Sequence, residues 1–191
     1  MAYTNGDLSR IIDRYADAAI TDPATRRAWP YIPVGELIVR ESRKFLSDVH
    51  DYPVSLGCAL VEGESWFRNI FGCDWGSQWT TVPPYCQVYV TEARVQKLIA
   101  NVENGGGQNG VGLTQLTDIS FIYKAERLGG AHIMKNQLTI GFDLLAQLIA
   151  TYGYYGGVGA YNAGPGNRFD VRWTYTANLE ARHNKWIARL T

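Results

Sequence analysis

The sequence predicts a mainly α-helical fold, a helical bundle around one short apolar helix with at most a small β-hairpin. Three observations carry this. Apolar residues recur at helical spacing, as in Leu8, Ile11, Ile12 and Tyr15, in Val95, Leu98, Ile99 and Val102, and in Leu144, Leu145, Leu148 and Ile149. Capping and breaking residues stand between these runs: Asp22-Pro23, Asp51-Tyr52-Pro53, Gly129-Gly130 and Pro165-Gly166. The 191 residues contain no internal repeat, low-complexity tract or linker-like run, so residues 1–191 are expected to form one domain with a real core.

The elements follow in order. Asp7 is placed to cap a first helix that runs to about Ala19 and ends at Thr21-Asp22-Pro23. Trp29-Pro30-Tyr31-Ile32-Pro33 is a rigid connector, because its prolines cannot continue a helix. A second helix is expected over residues 34–49, and Pro53 begins the next one, which delivers Glu64. From Phe71 to Tyr85, Gly, Pro and aromatics mix without a period, as in a long ordered loop. Residues 87–90 suit a short strand, or this region forms a hairpin. Thr91 then caps a helix to Val102. Asn104-Gly105-Gly106-Gly107-Gln108-Asn109-Gly110 is turn-forming. Asp118 or Thr117 caps a helix that stops at Gly129-Gly130. Residues 138–152 make the clearest helix, ending at Gly153. The small-residue run from Tyr154 to Gly164 suits a tightly packed helix or turn, and a last amphipathic helix covers about 169–190.

Composition excludes several functions. Eighteen Lys and Arg balance eighteen Asp and Glu, so no basic field points to nucleic acid. Three cysteines, Cys58, Cys73 and Cys86, give no disulfide framework, although Cys73 and Cys86 could pair. With His50 they match no zinc spacing, so no metal is expected. His50, His132 and His183 lack a nucleophile motif and read as surface or ordinary residues. The glycine-rich run lacks a following Lys-Ser/Thr and does not fit a dinucleotide fingerprint, so no nucleotide cofactor is implied. No apolar stretch approaches a membrane span, and the first residues lack a basic segment before an apolar run. Synthesis in a cytoplasm without a signal peptide is the expectation. Twelve Tyr and six Trp suit a groove that stacks on rings, or an ordinary core.

Chemistry concentrates at Ala59-Leu60-Val61-Glu62-Gly63-Glu64-Ser65-Trp66-Phe67. Leu56, Leu60 and Glu64 share a helix face, so an apolar stripe ends in a carboxylate. Burial and the negative end of the helix dipole both favour its protonated form, as a general acid requires. Glu62, two residues away, points elsewhere. The competing reading is a last exposed residue on a core helix.

Glu64-Ser65-Trp66-Phe67, Gly112-Leu113-Thr114-Gln115-Leu116 and Ala160-Tyr161-Asn162-Ala163-Gly164 occur in that order. Together they resemble the lysozyme-like superfamily of soluble lytic transglycosylases and goose-type lysozymes. The run from Asn109 to Thr117, followed by Leu128-Gly129-Gly130 and by Gly141-Phe142-Asp143-Leu144-Leu145, is similar to the catalytic domain of endolysins from phages of actinobacteria. The resemblance covers residues 54–166, and residues 1–50 stand outside it as an N-terminal helical extension. Thr114 occupies a position where the family usually has Met. The long segment between Phe67 and Asn104 prevents alignment of any second carboxylate.

The resemblance implies an α+β lysozyme-like fold and a monomer that acts on peptidoglycan glycan strands without a cofactor. The bond is the β-1,4 link from N-acetylmuramic acid to N-acetylglucosamine, and Glu64 would protonate its leaving oxygen. Ser65, Gly112, Leu113, Gln115, Tyr161 and Asn162 would line the cleft. Tyr161 would hold Glu64, and Gln115 would offer its amide to an acetamido or peptide group. Ser65 could bond substrate or Glu64, or only the local backbone. If a second carboxylate positions water, the enzyme inverts as a hydrolase; if none does, the muramoyl 6-hydroxyl attacks and leaves a 1,6-anhydro end. Glu103 is the first candidate for that carboxylate, ahead of Asp74, Glu92 and Asp118, although Glu103 also suits a solvated loop and Asp118 a helix cap. Trp75 and Trp79 are sugar-stacking candidates. Release by a holin would bring the chain to the wall. The rival reading is a non-catalytic cell-wall-binding or virion structural module of the same fold. A peptidoglycan amidase or peptidase would need a zinc site or a Cys/His pair, and neither is apparent in the sequence.

Overall fold

The computed structural model describes residues 3–72, 88–167 and 172–191. These residues form eight α-helices: α1 Asn5–Ala18, α2 Pro23–Ala28, α3 Gly35–Leu46, α4 Pro53–Ser65, α5 Glu92–Glu103, α6 Ile119–Arg127, α7 Met134–Ala163 and α8 Arg172–Leu190. The chain is therefore mainly α. Strand pairing among the described residues is confined to isolated antiparallel bridges, Ile70 with Tyr89, Phe71 with Val111 and Val111 with Leu116. Of the strand expected at residues 87–90, Gln87 lies outside the described residues, and over 88–90 it reduces to the Tyr89 bridge. It is flanked by Phe71 N–H to Val88 O at 2.8 Å and Val90 N–H to Asn69 O at 2.8 Å, and Thr91 then turns the chain into α5.

Local chemistry explains the helix ends. Thr4, not Asp7, precedes α1: the Thr4 N–H and hydroxyl donate to Asp7 Oδ2, and the Asp7 N–H donates back to Thr4 Oγ1. This is a reciprocal capping box, with Asp7 inside the helix. Asp22-Pro23 does more than end α1. Asp22 accepts from Thr25 N–H at 2.6 Å and Pro23 takes the first helical position, so the same pair starts α2, a helix the periodicity does not announce. Thr91 caps α5, and Asp118 caps α6 by accepting from Ser120 N–H at 2.7 Å.

The backbone divides into two compact units. One comprises Met1–Asp13, Val34–Gly63 and Gly141–Thr191; the other comprises Arg14–Pro33 and Glu64–Ile140. Three of the crossings fall inside α1, α4 and α7, which is why no linker composition marks them.

In the first unit, α4 is buried on every side from Val54 to Glu62, so its apolar character is not a single stripe. Glu62 accepts from the buried Trp186 indole N–H at 2.7 Å. The α7 helix breaks at Gly153, whose φ of 70° is left-handed. Its second segment then packs closely through Gly157, where a Cβ would lie 2.6 Å from the Ile149 backbone. His50, His183 and Tyr154 form an aromatic cluster, with the two imidazole centroids 4.6 Å apart. His183 is buried, so of the two readings the sequence offers, a surface or an ordinary residue, the surface one does not hold.

The second unit has its own apolar core of Phe71, Val90, Val95, Leu98, Val111, Leu116, Ile122, Ala125 and Ala131. Val95 and Leu98 of α5 supply it from the stripe read in the sequence.

Candidate functional site

The C-terminal end of α4 carries Glu64 and Ser65 into the second unit. Glu64 is half-buried in the last turn, at the negative end of the helix dipole. Ser65 is fully buried, and its hydroxyl donates to Leu113 O at 2.9 Å. It ties the end of α4 to the middle of the Gly112–Gln115 turn.

That turn is a closed backbone loop. Val111 and Leu116 exchange two N–H···O bonds of 3.1 Å, and the Gly112 N–H donates to Ile70 O at 2.9 Å. Gly112 has φ 75°, and a Cβ there would lie 2.0 Å from the Gln137 side chain. Only glycine meets both demands. Leu113 and Thr114 are fully buried, and the Thr114 hydroxyl donates to Gln137 O at 2.9 Å. A hydroxyl at position 114 therefore pins the turn to the start of α7 instead of lining a cleft wall. Gln115 has φ 49°, and its Nε2 donates to Ile70 O at 3.0 Å and Gly112 O at 2.7 Å.

These facts revise the expected roles. Both Gln115 amide protons are committed to the backbone, so they do not project toward a ligand. Ser65, Gly112 and Leu113 are buried in the framework that supports Glu64. Tyr161, half-buried, and Asn162, exposed, lie in the second segment of α7 and belong to the first unit.

The residue that sequence reasoning missed is Gln137. It is fully buried; its Oε1 accepts from Leu113 N–H at 3.0 Å, and its Nε2 donates to Asn69 Oδ1 and Ala131 O, both at 2.8 Å. Asn69 Nδ2 donates in turn to His132 O at 3.2 Å, and buried Asn109 Nδ2 to Gly72 O at 2.7 Å. Buried amides satisfied in this way fix one loop conformation. Periodicity could not find Gln137, because it stands at the polar start of the apolar run from Leu138.

Arg68 is also buried without an apolar signature. Its guanidinium donates to Ala16 O at 2.9 Å, Trp29 O at 3.2 Å and Trp66 O at 3.4 Å, and sits 4.9 Å from the Tyr31 ring. Burial lowers its pKa from the ordinary arginine value, while Tyr31 and Asp17 counteract that shift.

Of the second-carboxylate candidates, Asp118 is occupied as the α6 cap, and its hydrogen bonds from Ser120 lower its pKa. Glu103 is exposed and accepts from the Tyr123 hydroxyl at 2.8 Å. Glu92 is exposed in the first turn of α5. Asp74, Trp75, Trp79 and the Cys73–Cys86 pair lie outside the described residues. Among the described residues no group of three His, Cys, Asp or Glu could hold a metal ion. No described helix is long and apolar enough to cross a membrane.

In comparisons with known proteins, the chain matches no family model, no curated protein and no solved structure.

Proposed function

We propose that this chain is a peptidoglycan-degrading glycosidase of lysozyme-like fold, an endolysin that uses Glu64 as general acid and base. The observation that supports it best is the bond from Ser65 to Leu113. It joins two of the three motif segments, 48 residues apart, at the position of the candidate acid. A half-buried carboxyl in the last turn of a helix that is buried from Val54 to Glu62 suits protonation of a glycosidic oxygen. The β-1,4 bond from N-acetylmuramic acid to N-acetylglucosamine is the one cleaved. Glu64 protonates the leaving oxygen. Where a second carboxylate takes the proton of a water that attacks from the opposite face, the product is a reducing end. Where none does, Glu64 itself accepts the proton of the attacking muramoyl 6-hydroxyl, and the product is a 1,6-anhydro end. The enzyme acts as a monomer on glycan strands and reaches the wall through holin-dependent release.

The test is loss of turbidity of a cell-wall suspension, with mass spectrometry of the released muropeptides. The wild type should clear the suspension and release new glycan ends, and folded Glu64→Gln should do neither. Equal clearing by both would remove Glu64 from the mechanism. Wall binding without clearing by either would replace the enzyme with a non-catalytic wall-binding module.

A further inference from the structure

Immediately after Ser65, two non-glycine residues in succession adopt left-handed backbone: Trp66 with φ 54° and Phe67 with φ 59°. A helix commonly ends in one such residue, usually glycine. Two in a row, both bulky aromatics, are unfavourable for L-amino acids and persist only where the surroundings over-determine them.

The surroundings here do so. Phe67 is buried, with its ring edge-on to Tyr15 at 6.2 Å. The Arg68 N–H returns to Ser65 O at 3.0 Å. The buried Arg68 guanidinium grips the Ala16, Trp29 and Trp66 carbonyls. All this fixes a turn whose result is an indole that is 51% exposed, the opposite of what a large aromatic gains from folding. Strain kept in place at the expense of burial is a mark of a functional position.

We infer that Trp66 is a sugar-stacking platform, on which the apolar face of an N-acetylhexosamine ring next to the scissile bond lies against the indole. The inference rests on the glycosidase reading for its ligand class, since Trp66 is two residues from Glu64. An indole offers a flat apolar face and one N–H, which suits a pyranose with C–H groups on one side and polar groups at its rim. The end of α4 and the turn after it thus carry a half-buried carboxyl and an exposed indole two residues apart in the chain.

The test compares Trp66→Phe, Trp66→Tyr, Trp66→Ala and Trp66→Gly in the full chain. Binding to soluble uncrosslinked glycan strands is measured with active protein and in the Glu64→Gln background. Trp66→Ala and Trp66→Gly should bind about tenfold more weakly, with KM raised and kcat within about twofold, while Phe and Tyr retain most of the affinity. Trp66→Gly should also melt above the wild type, because glycine takes left-handed φ without strain. A purely structural tryptophan would not combine weaker binding with a higher Tm. Wild-type affinity in Trp66→Gly overturns the platform even where Glu64→Gln abolishes cleavage. Trp66-dependent binding without cleavage by the wild type keeps the platform and overturns the glycosidase.

Discussion

The Ser65 hydroxyl and the Leu113 carbonyl meet at 2.9 Å, both from buried residues. The contact anchors the end of α4 to the 112–115 turn, and it sets the first expectation. Ser65→Ala removes a donor from a buried carbonyl and should lower stability by about 1–2 kcal/mol. Urea denaturation reads the loss directly. Wall-clearing activity should fall as well, because Glu64 is the preceding residue on the same turn; unchanged stability and activity would show that the bond contributes nothing.

Gly112 and Gln137 are fitted to each other. A methyl group at 112 meets the Gln137 amide and imposes strain at φ 75°. Gly112→Ala should cost about 2–4 kcal/mol, combining left-handed strain with overpacking. Gln137→Ala alone should also destabilise, since it leaves the Leu113 N–H and Asn69 without their partner. The double variant should lose less than the sum of the two, because the clash disappears with the amide. Additive losses in a double-mutant cycle would argue against the predicted clash.

Two carboxylates on α4 should separate cleanly. Glu62 accepts from buried Trp186 Nε1, so Glu62→Ala strands an indole donor and should cost about 2 kcal/mol, with a Tm several degrees lower. Cleavage measured well below that Tm should persist. Glu64→Gln should show the converse, near-normal stability without cleavage. The thermal melt and the turbidity assay, run on both variants, make the comparison.

His183 should make stability depend on pH. Burial, reinforced by the charge that His50 can carry, depresses its pKa to about 4 from 6.5. The unfolded chain then binds the proton more readily, so the contribution is fully present above about pH 6.5 and is lost as pH falls toward 4. The loss should be on the order of 2 kcal/mol. Tyr154, whose hydroxyl lies 3.5 Å from Nδ1, is pushed up to about 12 by burial and the Glu180 charge and stays neutral throughout. Urea midpoints of wild type and His183→Phe from pH 7.5 to 4 provide the check. A wild-type slope no steeper than that of the variant would sink the assignment.

Cys58 is fully buried, and burial together with the Glu62 charge raises its thiol pKa well above the ordinary range. A protonated, enclosed thiol is a poor nucleophile. Peptide mapping after iodoacetamide treatment should find Cys58 unmodified in folded protein and modified in denaturant. Rapid labelling of the native chain would contradict its enclosure.

Where the physics is local, the sequence is readable. Thr91 and Asp118 sit at the helix starts they are expected to cap, because a cap involves residues two or three apart. Gly153 breaks α7 where the apolar period stops. The same local logic read Asp22-Pro23 only as the stop after α1 and left the start of α2 unread, since a helix stop and a helix start share that signature.

The candidate site divides along the same line. The sequence by itself determined the mainly helical class, most helix limits and the position of Glu64 in the last turn of α4, because each follows from spacing along one element. Tertiary structure decided what surrounds it. Gln137, Asn69 and Arg68 became the buried scaffold, Gln115 turned its amide inward, and Trp66 was held out in solvent. Those outcomes depend on which carbonyls and amides long-range folding brings within hydrogen-bond distance, and a buried polar residue must find a partner wherever the chain supplies one.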